Sequence, residues 1–357
     1  METWQKELAQ CVRTVEQLKQ HVHLENHEAI RQAMRTMRLS ITPHTLKLIN
    51  FNDPADPLLL MSVPQERELT VTPEELRDPI GNETKSPVPF LTHRYPDRVL
   101  VYATFSCAHY CRFCFRRFKT GVATPGPSEI DWDRIVEYLR SHGEVDEVIL
   151  TGGDPWTLLD DQLEVILKRL RSINSITRIR FHTRVLVNLP SRVTLSLVET
   201  LRRYMDTSHP IYVVTHFNHP REMAPENVVA VARLVDAGIV VRNQSVLLAS
   251  VNDDEKTLRV LFKKLVNIRV VPYYLHQLDL AKGTHHFRVP IERGIELMRR
   301  LQGHLTGLAI PRFMLDIPSG KGKVPLSHVY HEKNDHGLYS IETIDGDKTH
   351  YREPEIN

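Results

Sequence analysis

The stretch CAHYCRFCFRR, residues 107–117, carries three of the chain's four cysteines in the spacing Cys-x3-Cys-x2-Cys and ends in two arginines. It reads as a loop that gathers three thiolates at one point. Zinc in a structural site takes four protein ligands. The fourth cysteine, Cys11, lies far upstream in a helical pattern, where it reads as a buried free thiol. His109 inside the loop offers a fourth zinc ligand. An iron–sulfur cube held by three cysteines instead leaves one iron open, which suits chemistry better than structure. On spacing alone both readings stand.

Outward from the loop the chain alternates between β-branched runs and amphipathic stretches. The strand candidates are VLVYATF (99–105), EVILTG (147–152), ITRIRFHT (176–183), IYVVTHF (211–217), IVVRNQSVLL (239–248), VVPYYLHQL (270–278) and IPRFMLD (310–316). Helical stretches such as DDQLEVILKRLRSI (160–173), ENVVAVARLVDAG (226–238) and RGIELMRRLQGHL (293–305) lie between them. This is the pattern of βα units on a parallel sheet. The alternatives are a partial (β/α) barrel of about six units and an open doubly wound sheet. The cysteine loop, TGGDP, HTR, HFNHP, NQS and HQLD all fall at or just past strand C-terminal ends, the rim that holds active sites in barrels. That placement favours the barrel.

Residues 1–90 read as a helical N-terminal region (patterns at 2–20 and 26–38) followed by an extended, proline-rich strap. Residues 91–326 form the barrel core. Residues 327–357 form a C-terminal extension, with a hairpin over 338–353 turning at Asp345-Gly346.

Composition sets the setting. A hydrophobic fraction of 41% and a charged fraction of 25% describe a globular chain. Forty-six Lys and Arg against 44 Asp and Glu leave a formal charge of +2, which points to no nucleic-acid partner. No apolar run approaches the length of a membrane span, so no membrane partner is expected. Few cysteines, most of them clustered, fit metal ligation in a reducing cytoplasm.

Cys-x3-Cys-x2-Cys with Phe113 before the last cysteine resembles the signature of radical S-adenosylmethionine (SAM) enzymes. Seven stretches together resemble one branch of them, the lysine 2,3-aminomutase family: DPIGNETKSPVPFLTHRYPDRVL (78–100), CAHYCRFCFRR, LTGGDP (150–155), HFNHP (216–220), NQSVLL (243–248), PYYLHQLDLAKGTHHFR (272–288) and DIPSGKGKVPL (316–326). The resemblance implies that Cys107, Cys111 and Cys114 hold a [4Fe–4S] cluster whose open iron chelates SAM. It sets Phe113 along the adenine and Gly152, Gly153 and Asp154 at the methionyl amino group. Glycines there let backbone approach a ligand closely, and a carboxylate accepts from an ammonium.

A second implied cofactor is pyridoxal 5′-phosphate (PLP), carried as an imine on Lys323. Lys321 stands where the family usually has glycine and is the rival lysine. Arg94 and Tyr95 match residues near the PLP phosphate, and Gln244 also reaches toward PLP. Arg116 matches the arginine that holds the substrate α-carboxylate, and Asp279 with Asp316 matches the aspartates around the far ammonium of lysine. His182, His216, His219, His285 and His286 read first as structural.

The implied reaction moves the α-amino group of L-lysine to C3, giving β-lysine. It needs a free amino acid as substrate and a reducing electron donor, and a homo-oligomer is expected. Alternatives are arginine, glutamate or lysine destined for elongation factor P as substrate, and a non-catalytic iron–sulfur or zinc module.

Overall fold

The computed structural model describes residues 1–23, 26–121, 125–333 and 338–354. Parts of the C-terminal extension (334–337 and 355–357) therefore lie outside the described residues.

Nine strands form one sheet in strict chain order: β1 Leu91–Tyr95, β2 Arg98–Thr104, β3 Glu147–Gly152, β4 Arg178–His182, β5 Ile211–Thr215, β6 Val240–Val246, β7 Val271–His276, β8 Arg312–Ile317 and β9 Gly322–Pro325. Neighbours from β2 to β8 pair in parallel, while β1 and β9 add antiparallel edges. A doubly wound sheet reverses its strand order at a switch point. This sheet never does, so it is barrel-like. The edges approach through a side chain: the Lys323 amide on β9 donates to the Tyr95 hydroxyl on β1 at 2.9 Å.

Helices cross between the parallel strands at Glu129–Ser141, Asp160–Arg171, Leu195–Arg203, Pro225–Asp236, Glu255–Asn267 and Ile291–Leu301. Each turns an apolar stripe inward. Asp160–Arg171, for example, buries Leu163, Ile166, Leu167 and Leu170, the i, i+3, i+4, i+7 face. Neither edge strand was among the strand candidates: β1 precedes the first of them within the core, and β9 lies in the glycine-rich segment, where its glycine and proline hid it; edge strands tolerate both.

The helical pattern over 2–20 is broken. Thr3–Ala9 and Val15–Leu18 are separate helices, because Val12 between them exchanges backbone hydrogen bonds with Ile41 at 2.9 and 3.0 Å. The N-terminal region has no core of its own. Val12, Leu18, Ile30, Ile41, Leu58 and Met61 pack in one cluster with Phe113, Leu248, Leu278 and Phe287 from the loops beyond β2, β6 and β7. Residues 1–63 thus lean on the rim where the unusual motifs end. Among the described residues no helix is long and apolar enough to cross a membrane. Near the C-terminus, His331–Lys333, Leu338–Glu342 and Lys348–Arg352 form a separate antiparallel sheet, with Gly346 at φ +89° in its turn.

Candidate functional site

The strand C-terminal ends surround a cavity of about 490 Å³. The residues to which the resemblance gives a cluster, SAM, PLP or substrate role line it: Cys107, Cys111, Cys114, Phe113, Gly152, Gly153, Asp154, Arg116, Arg94, Tyr95, Gln244, Asp279, Asp316 and Lys323. They arrive from positions more than two hundred residues apart because the parallel strands deliver their last residues to one rim, while the antiparallel edge strands β1 and β9 bring in Arg94, Tyr95 and Lys323. Lys321 does not line the cavity and is exposed, whereas Lys323, two residues on, faces inward.

The cysteine loop has no regular secondary structure. Buried charges hold its stem. Glu68, on the turn Glu66–Leu69, accepts from Arg112 Nε at 2.9 Å and Nη2 at 2.6 Å, and from Arg117 Nη2. Arg112 also donates to the Met37 and Arg38 carbonyls, and Arg117 to that of Gly283. All three side chains are essentially inaccessible. Of the loop's arginines only Arg116 lines the cavity. Its Nη1 donates to Thr151 Oγ1 at 3.0 Å and its Nε is buried without a partner. Arg184, which sequence reading passed over within HTR, reaches Cys111 Sγ at 2.8 Å, the His216 carbonyl at 3.1 Å and Glu222 Oε1 at 2.5 Å. Its place one turn past the end of β4 was the available signal.

Burial raises the Cys107 thiol well above its ordinary range and Cys111 more mildly, the latter against the pull of Arg184. Both imidazole nitrogens of His109, in the same loop, are buried without a partner. Phe113 meets His216 edge-on at 5.6 Å and lies under the Arg184 guanidinium at 5.3 Å.

The glycines before Asp154 have a structural reason of their own. A Cβ on Gly152 would stand 2.1 Å from the Thr104 carbonyl oxygen, and one on Gly153 2.2 Å from that of Ser106. Their amide neighbours bond there too, Gly153 N to Thr104 O at 2.6 Å and Asp154 N to Ser106 O at 2.8 Å. They let β3 close onto the stem of the cysteine loop. The Asp154 carboxylate accepts from the Trp156, Arg184 and Val185 amides and from the Thr183 hydroxyl, so it organises the rim.

At the other end of the cavity Asp316 binds the Lys323 ammonium, lies 3.6 Å from His276 Nδ1 and 3.7 Å from Arg94 Nη1. Burial, which alone would raise Asp316, is outweighed by His276 and Lys323, and its carboxyl is held down at about 2. Burial and the Asp316 charge push Asp279 up to about 7 against Lys323, Arg116 and Arg94. Arg98, Arg180, Tyr273 and Tyr274 also line this end, with Arg180 paired to Glu147. Of the histidines, His109, His182, His216 and His276 line the cavity, while His219, His285 and His286 do not.

These donors fit the implied groups. Three partly accessible thiols open on one space, and the inward lysine stands beside arginines suited to a phosphate.

Comparison with known proteins bears on the same residues. A model of the radical SAM superfamily matches residues 101–261, and one described as lysine-2,3-aminomutase matches residues 298–357. The chain is 40% identical over 353 residues to the L-lysine 2,3-aminomutase of Clostridium subterminale, covering 98% of this chain and 84% of that protein. It is 40% identical over 354 residues to the Bacillus subtilis L-lysine 2,3-aminomutase, 99% of this chain and 74% of that one. It is also 40% identical over 303 residues to a glutamate 2,3-aminomutase of Clostridioides difficile, 85% of this chain and 71% of that one.

Proposed function

The chain belongs to the lysine 2,3-aminomutase family of radical SAM enzymes, and from that premise we propose that it interconverts L-lysine and β-lysine. It is an isomerase that uses a [4Fe–4S] cluster, SAM and PLP. When bound, these groups supply a 5′-deoxyadenosyl radical for hydrogen abstraction and a π-system across which an amino group migrates.

The chain's own residues do the rest. Cys107, Cys111 and Cys114 bind the cluster, with Phe113 and the Gly152–Asp154 turn beside SAM. Lys323 would anchor PLP, with Arg94 and Tyr95 on its phosphate side and Gln244 reaching toward it. Arg116, with an unpartnered Nε in the cavity, takes the substrate carboxylate. Asp279 and Asp316 take the distal ammonium. The N-terminal region, packed on the rim, excludes water and so strengthens these charge pairs.

One observation carries the reading: Asp316 already holds an ammonium, that of Lys323, inside the cavity that the three thiols share. With Lys323 given over to PLP, Asp316 would be free to pair with a second ammonium of the same chemistry. An anionic side chain would instead be set against the charges of Asp279 and Asp316, which disfavours glutamate despite the glutamate-specific relative.

The barrel is read as six βα units, on the support of its six helical crossings. The setting is read as cytoplasmic and the assembly as a homo-oligomer, with a free amino acid as substrate. The test is anaerobic incubation with reductant, SAM, PLP and each amino acid, with products resolved by chromatography. β-Lysine as the main product is expected. β-Glutamate or β-arginine in its place would overturn the assignment of the acidic pair.

A further inference from the structure

Cys107 faces two spaces. It lines the site cavity, and it also lines a second cavity of about 600 Å³ on the side of the N-terminal region. The floor of that groove is the stem of the cysteine loop. The Tyr110 amide donates to the Ser40 carbonyl at 3.1 Å, and the Ser40 hydroxyl donates to the Ala108 carbonyl at 2.7 Å. Ser106 beside Cys107 is exposed.

The rim of the groove is cationic. Arg13 and Arg38 line it, both are exposed, and neither pairs with a carboxylate among the described residues. Arg13 is held by the carbonyls of Leu8 and Ala9 at the end of the first helix. The Arg38 side chain bonds the Tyr110 hydroxyl, and its carbonyl accepts from Arg112 inside the loop at 2.9 Å. Arg35, three residues away, is likewise exposed and free of an ion pair.

A cluster at Cys107 must be reduced by one electron, and the site cavity is taken up by cofactors and substrate. The electron needs another approach, and the groove is an approach to the same cysteine. We propose that the groove is the docking surface of a small acidic one-electron carrier protein, steered by Arg13 and Arg38; this rests on the functional reading above. The exchange balances simply. With a flavin carrier, the anionic hydroquinone gives up one electron and becomes the neutral semiquinone. The cluster gains that electron, and no proton or group is transferred. Positive rims of this kind raise the encounter rate of an acidic partner and lose the effect in salt.

The test uses the full chain with its cluster reconstituted, and flavodoxin as the probe. The double variant Arg13→Glu/Arg38→Glu removes both rim cations and leaves the site cavity intact. Oxidised flavodoxin should bind the wild type in titration calorimetry with a Kd that weakens in salt. In the double variant it should bind about tenfold more weakly. Reduction of the cluster by flavodoxin hydroquinone, followed by bleaching of its visible absorbance, should slow by a similar factor, while reduction by dithionite stays at the wild-type rate. Unchanged binding and unchanged flavodoxin-driven reduction would overturn the proposal. So would slowing that dithionite shares, since the defect would then lie in the cluster. Iron content is measured first: a wild-type chain that takes up no cluster overturns the functional reading itself, and this one with it.

Discussion

Lysine binding should weaken as pH falls through neutrality, and Asp279 is the reason. Its carboxyl is raised to about 7 by burial and by the charge of Asp316, whereas Asp316 is held at about 2 by His276 and Lys323 beside it. Asp279 is therefore mostly protonated in mild acid and offers the ammonium no charge there. If the ammonium requires the ionised form, each pH unit below about 7 costs close to 1.4 kcal/mol, or about tenfold in Kd. Asp279 should then release about one proton per lysine bound near pH 6, and almost none near pH 8, by the same linkage.

The perturbation is Asp279→Asn, which keeps the shape and removes the titration. Calorimetry of L-lysine binding to the PLP-loaded protein, in buffers of differing ionisation heat, gives Kd and protons released together. The α-amino group loses its proton in both proteins, so the difference between their profiles reads Asp279 alone. The wild-type profile should be steeper by about one decade per pH unit below pH 7, while the variant binds more weakly at pH 8 by the loss of a charged hydrogen bond, about 1.5–3 kcal/mol. Parallel profiles from pH 6 to 8 would refute the reasoning.

Lys323→Ala should abolish the imine absorbance band of added PLP, whereas Lys321→Ala should retain it; a surviving band in the first variant would move the anchor. Glu68→Gln leaves Arg112 and Arg117 buried without their shared anion, so urea unfolding should report a loss of about 3–5 kcal/mol. Gly81 has φ +63°, and an added Cβ would sit 2.4 Å from the Gly320 amide nitrogen. Gly81→Ala should therefore displace the loop before Lys323, destabilise by about 1–3 kcal/mol, and weaken PLP binding in a fluorescence titration.

Much of this protein is written locally. Cysteine spacing is a local property, and so is the alternation of strand and helix text that calls for parallel βα units. The motifs at strand ends are legible because every parallel strand points its C-terminal end to the same rim. Arg116, Asp279, Asp316 and Lys323 were thus nameable from the text through their family pattern. Other features depend on partners far away in the chain. Glu68 meets Arg112 44 residues on and Arg117 49 residues on, and nothing near any of them announces the contact. In sequence the three arginines of the cysteine loop look alike, yet two are buried struts and only Arg116 reaches the cavity.

Lys321 against Lys323 shows where the division falls. The sequence by itself determined that a lysine would stand at the end of a glycine-rich segment. Folding decided which one: Lys323 lies within β9, paired opposite Asp316 on β8, whereas Lys321 stands before the strand in the turn that closes Pro318–Gly320 and stays exposed. The same holds for Gly152 and Gly153. Their need for a bare backbone was readable, but the surface they approach is the carbonyls of Thr104 and Ser106. Residue types and spacing carry the chemistry available to the chain; direction, burial and the partner of each charge exist only once distant segments pack together.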